Sequence, residues 1–308
     1  MGGPPRPERM LVIVNPHATT VSARIERLVI HALEGRYAVE AVRTRERGHA
    51  TELARGAAQE GFDVVVAFGG DGTVSEVASG LAGSATPLAL LPGGATNVFA
   101  RLLGIPRDAI DSAERLLDMA GRLEPRRIDT GRAGGRHFLF AAGIGLDASM
   151  VARVERRPRL KARLRQHYFA YAALRSFFGE YLLDSRRVRV EFGGGAIDGV
   201  TVIAQNADPL SFFGARPIRV APRAGLESGT LSVSVLERAR LIDLVTLLPR
   251  LFGAGAAGHA DVTSIEVQDP VRVVALDGPF PLALDGEHLG PFEDVELAIA
   301  PRSLAVLR

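Results

Sequence analysis

Residues 63–68, Asp-Val-Val-Val-Ala-Phe, run almost without a polar side chain into Gly69-Gly70-Asp71-Gly72-Thr73. A run so short and so apolar reads as a strand buried on both faces, the kind a parallel sheet needs. The segment after it carries Val74, Val77, Ala78 and Leu81 at helical spacing, so the glycines sit between a strand and a helix. The pattern then repeats. Leu88–Leu91 is a second apolar run, followed by Pro92-Gly93-Gly94 and a predicted helix from Asn97 to Leu103 with Gly104 as its C-cap. Upstream, Met10–Val14 is a strand ending at Asn15-Pro16, Ser22–Leu33 a helix, Ala38–Val42 a strand and Ala50–Gln59 a small-residue helix. Asp108–Met119 closes this half as an amphipathic helix. Alternating strand and helix predicts a parallel α/β sheet.

From about Arg126 the rhythm changes. Strand-like runs dominate: 127–130, 138–142, 188–192, 200–205, 231–236, 264–267, 271–276 and 282–284. Helical patterns interrupt them at Asp147–Phe178 and Leu241–Phe252. The expected fold class is therefore α/β plus mostly β. A parallel α/β nucleotide-binding domain spans 1–127, with 300–308 returning to it, and an antiparallel β-sandwich-like domain spans 128–299.

Composition removes several classes of function. None of the 308 residues is cysteine, which excludes disulfides, thiolate metal sites and cysteine nucleophiles. Basic and acidic side chains number 37 and 35, so no whole-body field for nucleic acid exists. Lys161 is the only lysine. No stretch is long and apolar enough for a spanning helix, and the Met10–Val14 run is too short for a signal-peptide core. These features suggest a soluble, cytoplasmic chain.

The chemistry-bearing residues cluster at strand ends. Glycines at 69, 70 and 72 let the backbone approach a polyphosphate, and N–H groups at the helix start favour its charge. Thr73 can cap the helix or touch a phosphate. Asp71 separates this loop from a plain phosphate cradle, because a carboxylate beside phosphates needs a divalent cation between them. The bland reading is a glycine turn whose Asp accepts backbone hydrogen bonds. Gly94, Thr96 and Asn97 follow the next strand, and Asn15 follows the first. Loops at the carboxyl ends of parallel strands share one edge, where ligands bind. Near the C-terminus, Asp285-Gly286-Glu287 could supply a metal ligand and a general base, and equally reads as a common hairpin turn.

Taken in order, these residues resemble a known family. Asn15-Pro16, Gly69–Thr73 with Glu76, Pro92–Asn97 with Phe99-Ala100-Arg101, Ile128-Asp129-Thr130-Gly131, Gly143–Ala148 and Leu284–Glu287 are similar to the motifs of the diacylglycerol kinase catalytic-domain family. That family includes bacterial lipid kinases and sphingosine kinases. The resemblance implies ATP- and Mg²⁺-dependent transfer of a phosphoryl group to a lipid hydroxyl, most simply diacylglycerol to phosphatidic acid. It implies nucleotide binding in an interdomain cleft by Asn15, Thr44 and Gly69, Gly70, Asp71, Gly72, Thr73 and Ser75. It also implies Asp71 as a magnesium-linked or catalytic carboxylate, Asp129 in support of the metal through water, and Glu287, ahead of Asp71, as proton acceptor with Asp285 beside it. Three places depart from the pattern: His17-Ala18-Thr19-Thr20 after the Asn-Pro, Ala95 with threonine moved to Thr96, and Ser228 where relatives place a metal-binding aspartate. An NAD kinase shares the Gly-Gly-Asp-Gly loop, and an inactive lipid-binding protein could keep the scaffold.

Arginine is concentrated at Arg153, Arg156, Arg157, Arg159, Lys161, Arg163 and Arg165, with His167, Tyr168, Phe169, Tyr171, Phe177 and Phe178 following. Basic residues followed by aromatics suit an anionic membrane surface, so peripheral association with the inner face of a membrane is expected. The alternative is a solvated helix face with its aromatics in the core. A lipid in the membrane is the expected partner and nucleic acid is not. A homodimer is one assembly the sequence permits.

Overall fold

The computed structural model describes residues 6–145, 186–238 and 240–308. Two compact units are present, Met1–Ile128 with Arg302–Arg308, and Asp129–Pro301.

The first unit is built on β1 (Arg9–Val14), β2 (Ala38–Arg43), β3 (Val64–Gly69) and β4 (Leu88–Pro92). They pair in parallel in the order β2-β1-β3-β4, and Val306 adds a further parallel partner beside Leu88. The connecting helices are α1 (Ala23–Glu34), α2 (His49–Gln59), α3 (Asp71–Leu81), α4 (Val98–Leu102) and α5 (Ala109–Met119). Their starts follow local chemistry: Ser22 Oγ accepts from Ile25 N at 3.2 Å, and Asp108 Oδ1 from Ile110 N at 2.8 Å. One sheet face packs Met10, Val12, Val64, Val66 and Phe68 against Val29 and Leu33 of α1 and Leu116 of α5. The alternate residues Leu11, Ile13, Val65 and Ala67 are buried too, so both faces are covered. Small residues let α2 and α3 meet closely: a Cβ on Gly80 would lie 2.5 Å from the Thr51 carbonyl.

The second unit is a sandwich of antiparallel sheets. Its strands in chain order are β5 (Arg126–Ala133, shared with the first unit), β6 (Arg136–Phe138), β7 (Ala141–Gly145), β8 (Val188–Phe192), β9 (Gly195–Gly199), β10 (Thr201–Gln205), β11 (Ser211–Phe213), β12 (Arg216–Ile218) and β13 (Leu231–Leu236). After α6 (Leu241–Leu251) come β14 (Val262–Val267), β15 (Val271–Ala275), β16 (Phe280–Leu284), β17 (Glu287–Phe292) and β18 (Asp294–Val306), which leads back into the first unit. One sheet has the order β14-β13-β10-β7-β16-β17. The opposing strands β18, β15, β8 and β9 are also antiparallel neighbours. Phe138, Ile144, Val190, Val202, Val233, Val273, Phe280, Leu282 and Leu297 fill the space between. Gly131 lies flat against the Phe138 ring: a Cβ there would stand 1.9 Å from Cζ.

Two expectations need correction. The single strand expected over 138–142 is two strands, broken at Leu139 and Phe140. The N–H groups of that break turn toward a side chain described below. The long β18 was not expected, because Pro301 and a left-handed Arg302 (φ 50°) interrupt its alternation. The basic segment 153–165, the aromatics after it and the helix expected over 147–178 lie outside the described residues.

Candidate active site

In the first unit the sheet order changes direction between β1 and β3, so the crevice at their carboxyl ends is where an open α/β sheet binds ligands. Asn15 and the Gly69–Thr73 loop occupy that position. The Asn15 amide donates to Thr73 Oγ1 at 3.0 Å, its Oδ1 accepts from His17 N, and its own N–H bonds the Phe68 carbonyl at 2.9 Å. Thr44 is at the end of β2, its N–H bonded to the Val14 carbonyl at 2.8 Å. Asn15, Thr44 and the first glycine loop thus share one edge.

The second glycine loop packs on the first, backbone against backbone. Gly93 N donates to the Gly69 carbonyl at 2.7 Å. A Cβ on Gly94 would lie 2.7 Å from Gly70 Cα and 2.8 Å from Asn97 Oδ1, so no other residue fits without moving main chain. The N-cap of α3, Gly70, supplies no side-chain hydrogen bond to the helix start. A helix N-terminus without a side-chain cap, entered through glycines, is an anion-binding geometry.

Asp71 accepts a backbone hydrogen bond, the blander of the two roles its position offered. Its Oδ1 accepts from Phe99 N at 3.1 Å, at the start of α4. Burial pushes this carboxyl above the ordinary range, opposed by N–H donation from Val98 and Phe99, the Arg101 charge and Asn97 N–H. Asp71 therefore caps α4 and joins the two loops. Asn97, expected at the ligand, is buried with φ 49°, and its amide is spent on Gly94: Oδ1 accepts from Gly94 N at 2.9 Å and Nδ2 donates to the Gly94 carbonyl at 2.8 Å. Thr96 remains partly exposed on the same loop. Ser75 is buried on the packed face of α3 rather than presented at its start.

Sequence reasoning gave no role to Glu76. Its Oε1 accepts from Gly48 N at 2.9 Å and its Oε2 from Ala50 N at 3.2 Å, while Thr51 Oγ1 donates to its carbonyl. Glu76 thus caps α2, whose N-cap Gly48 has no side chain to do so. The missing Ser, Thr or Asp at that helix start was one signal for such a cap.

In the second unit, Asp285 (φ 48°) and Gly286 (φ 80°) form a two-residue turn between β16 and β17, with Leu284 opposite Glu287. Consecutive left-handed residues are what a type I′ hairpin requires. The Asp285 carboxylate leaves the turn to take three main-chain donors: Leu139 N at 2.7 Å on Oδ2, and Phe140 N at 3.0 Å and Ala141 N at 3.2 Å on Oδ1. A catalytic role was expected of it; these contacts give it a structural one. Asp285 is the anchor for the break between β6 and β7.

Glu287 is the first residue after the turn, buried, and forked by Arg136 at 3.4 and 3.3 Å. Both carboxylate oxygens face the guanidinium, which fixes their orientation. Arg136, on β6, carried no sequence signal. Asp129 is buried, with its Oδ2 accepting from Gly229 N at 2.7 Å and its N–H donating to the Leu226 carbonyl at 2.7 Å. It was expected to reach a metal through water; these contacts tie it to the 226–229 turn. In that turn the Ser228 hydroxyl is within bonding distance of the Gly225 and Thr230 carbonyls, at 2.9 and 3.1 Å.

Neither Asp71 nor Asp129 belongs to a three-residue group of metal-ligating side chains among the described residues. A divalent ion at Asp71 would be held by one carboxylate and by phosphate oxygens, the manner in which Mg²⁺ accompanies nucleotides.

A parallel sheet with paired glycine loops, joined in one chain to an antiparallel sandwich, defines the fold shared by diacylglycerol kinases and NAD kinases. The solved structure of a diacylglycerol kinase from Bacillus anthracis superposes with a TM-score of 0.71 at 20% identity, covering 99% of this chain and 98% of that one. Yeast NADH kinase superposes with a TM-score of 0.54 at 10% identity, covering 98% of this chain and 83% of that one. Residues 9–133 match the diacylglycerol kinase catalytic domain, and 141–308 match the YegS C-terminal NAD kinase beta sandwich-like domain. The chain belongs to the diacylglycerol kinase-like family of lipid kinases. A diacylglycerol kinase of Bacillus subtilis is 32% identical over 259 residues, covering 81% of this chain and 80% of its own length. A probable lipid kinase, YegS-like, of Pseudomonas syringae is 40% identical over 111 residues, 35% of each chain. Kinase membership implies the use of ATP. Among the described residues no helix is long and apolar enough to cross a membrane.

Proposed function

We propose that this chain transfers the γ-phosphoryl group of ATP to a lipid hydroxyl, with diacylglycerol as acceptor and phosphatidic acid as product. The observation that carries the reading is the pair of glycine loops on one edge of the parallel sheet, within a chain 32% identical to a diacylglycerol kinase. The glycine backbone and the α3 N-terminus would bind the triphosphate, since no lysine other than Lys161 exists to do so. Asp71, one of whose oxygens already accepts from Phe99 N, is the candidate carboxylate to hold Mg²⁺, which when bound would neutralise charge on the phosphate oxygens. In the transfer the acceptor O–H bond breaks, a new O–P bond forms and the bond to the ADP oxygen breaks. The hydroxyl proton passes to a base, for which Glu287 is the candidate and Arg136 its positioning partner. Asp129 is assigned a structural part, and a water-mediated link from it to the metal is left as a secondary proposal.

A second reading, phosphorylation of a nicotinamide dinucleotide, is favoured by the NADH kinase likeness alone. Incubation with γ-labelled ATP and either dispersed diacylglycerol or NAD⁺ separates them. Label in phosphatidic acid supports the proposal, and label confined to the dinucleotide overturns it.

A further inference from the structure

Five of the eight large apolar side chains exposed among the described residues lie together on the second unit. Ile242, Val245, Leu248 and Phe252 are 56, 69, 54 and 39% exposed, and Phe213 of the β11–β12 hairpin is exposed beside them. At ~100° per residue, the α6 positions and Phe252 just after them fall within an arc of about 120°. Pro249, also exposed, completes the face, and no charged side chain lies in it. Phe213 and Phe252 meet edge to face, ring centroids 6.2 Å apart, so the hairpin tip extends the ridge.

The helix is held firmly from behind. Asp243 is buried and its Oδ2 accepts from Arg240 N at 2.7 Å. Thr246 Oγ1 is 2.8 Å from His259 Nε2, Arg250 donates to the Ala257 carbonyl, and Arg219 N bonds the Leu251 carbonyl. An apolar face presented by a fixed helix is a surface built for contact.

Charge selects the partner. Arg238 stands exposed at the N-terminal end of the ridge beside exposed Glu237, and Arg240 there is ion-paired with Asp261 at 3.6 Å. At the other end Arg216 is exposed and directly opposite Phe213 in the hairpin. An uncharged apolar ridge with Arg238 near one end and Arg216 at the other has the pattern of an interfacial helix, in which the apolar face would enter the acyl boundary and the guanidinium groups would meet headgroup phosphates.

We propose that the outward face of α6, with Phe213, seats in the surface of an anionic lipid bilayer. The proposal rests on the lipid-kinase reading for its purpose, but its test does not. The experiment compares the full chain with the double variant Val245→Glu/Leu248→Glu in co-sedimentation with phosphatidylglycerol–phosphatidylcholine vesicles. It also measures phosphoryl transfer to a water-soluble short-chain diacylglycerol, the melting temperature and the sedimentation coefficient. Vesicle partitioning is expected to fall roughly tenfold or more, with transfer to the soluble acceptor and melting unchanged. Equal vesicle binding by the two proteins overturns the proposal. So does a dimer that the variant converts to monomer without loss of vesicle binding, which makes the ridge a self-association face. A melting temperature lowered by the charges also overturns it, because the face is then covered by the chain itself. Vesicle binding without transfer to any lipid leaves this surface standing and refutes the kinase reading alone.

Discussion

Replacing Asp285 by asparagine separates an anchor from a catalyst. The carboxylate offers acceptors to three buried N–H groups: Leu139 at 2.7 Å on one oxygen, Phe140 at 3.0 Å and Ala141 at 3.2 Å on the other. Asparagine tolerates the left-handed turn position, so the hairpin itself survives. With its single oxygen toward Phe140 and Ala141, its amide nitrogen meets the Leu139 N–H, donor against donor. One buried N–H left without an acceptor costs about 1–3 kcal/mol, and losing charge assistance on the other two costs about 1 kcal/mol each. The total is about 3–5 kcal/mol. For a unit of this size, each kcal/mol shifts melting by roughly 2–4 °C, so a fall of about 6–20 °C is expected. Differential scanning calorimetry of the full chain reads it, with circular dichroism to confirm folding before the transition. Melting unchanged within ~1 °C together with abolished turnover would refute the anchor assignment and return Asp285 to chemistry.

Three further outcomes follow from contacts already given. Gly94→Ala places a Cβ 2.7 Å from Gly70 Cα, forcing the glycine loops apart. ATP affinity by titration calorimetry should drop about tenfold or more in a folded protein, and unchanged affinity would remove this loop pair from the nucleotide site. Glu76→Ala strips the acceptors from Gly48 N and Ala50 N and should cost about 1–3 kcal/mol in urea unfolding, against no change if the cap is idle. His137 is half-buried, and desolvation, then Arg132, lowers its pKa below 6.5. Its unfolded form binds the proton more readily, so its contribution is present above pH 6.5 and is lost as pH falls through the lower folded value. The stability difference between wild type and His137→Asn should be flat above pH 6.5 and move against the wild type below it. A pH-independent difference would contradict this.

The parallel half of the fold was legible because its strands are buried on both faces and its turns are glycines, properties written locally in Val64–Phe68 and Leu88–Leu91. The hairpin at Asp285-Gly286 was equally legible, since few residue pairs accept two left-handed positions. The destination of the Asp285 carboxylate was not, because its donors are 144 to 146 residues away in the chain. A similar separation, 151 residues, hid the Arg136–Glu287 fork. Asn97 misled for a different reason: asparagine favours both helix caps and the left-handed region, and here the second use took its amide to Gly94 and left the cap to Asp71. Glycine loops advertise a ligand edge; long-range hydrogen bonds decide which carboxylates stay with the scaffold.

The most direct measurement is the initial rate of phosphatidic acid formation from γ-labelled ATP and dispersed diacylglycerol, for wild type and Glu287→Gln, with ATP affinity measured in parallel. The glutamine keeps the shape of the side chain and removes its basicity. Measurable transfer by the wild type, lost by the variant with ATP affinity intact, is the predicted result. Near-normal turnover in Glu287→Gln, or a wild type that labels no lipid, would contradict it.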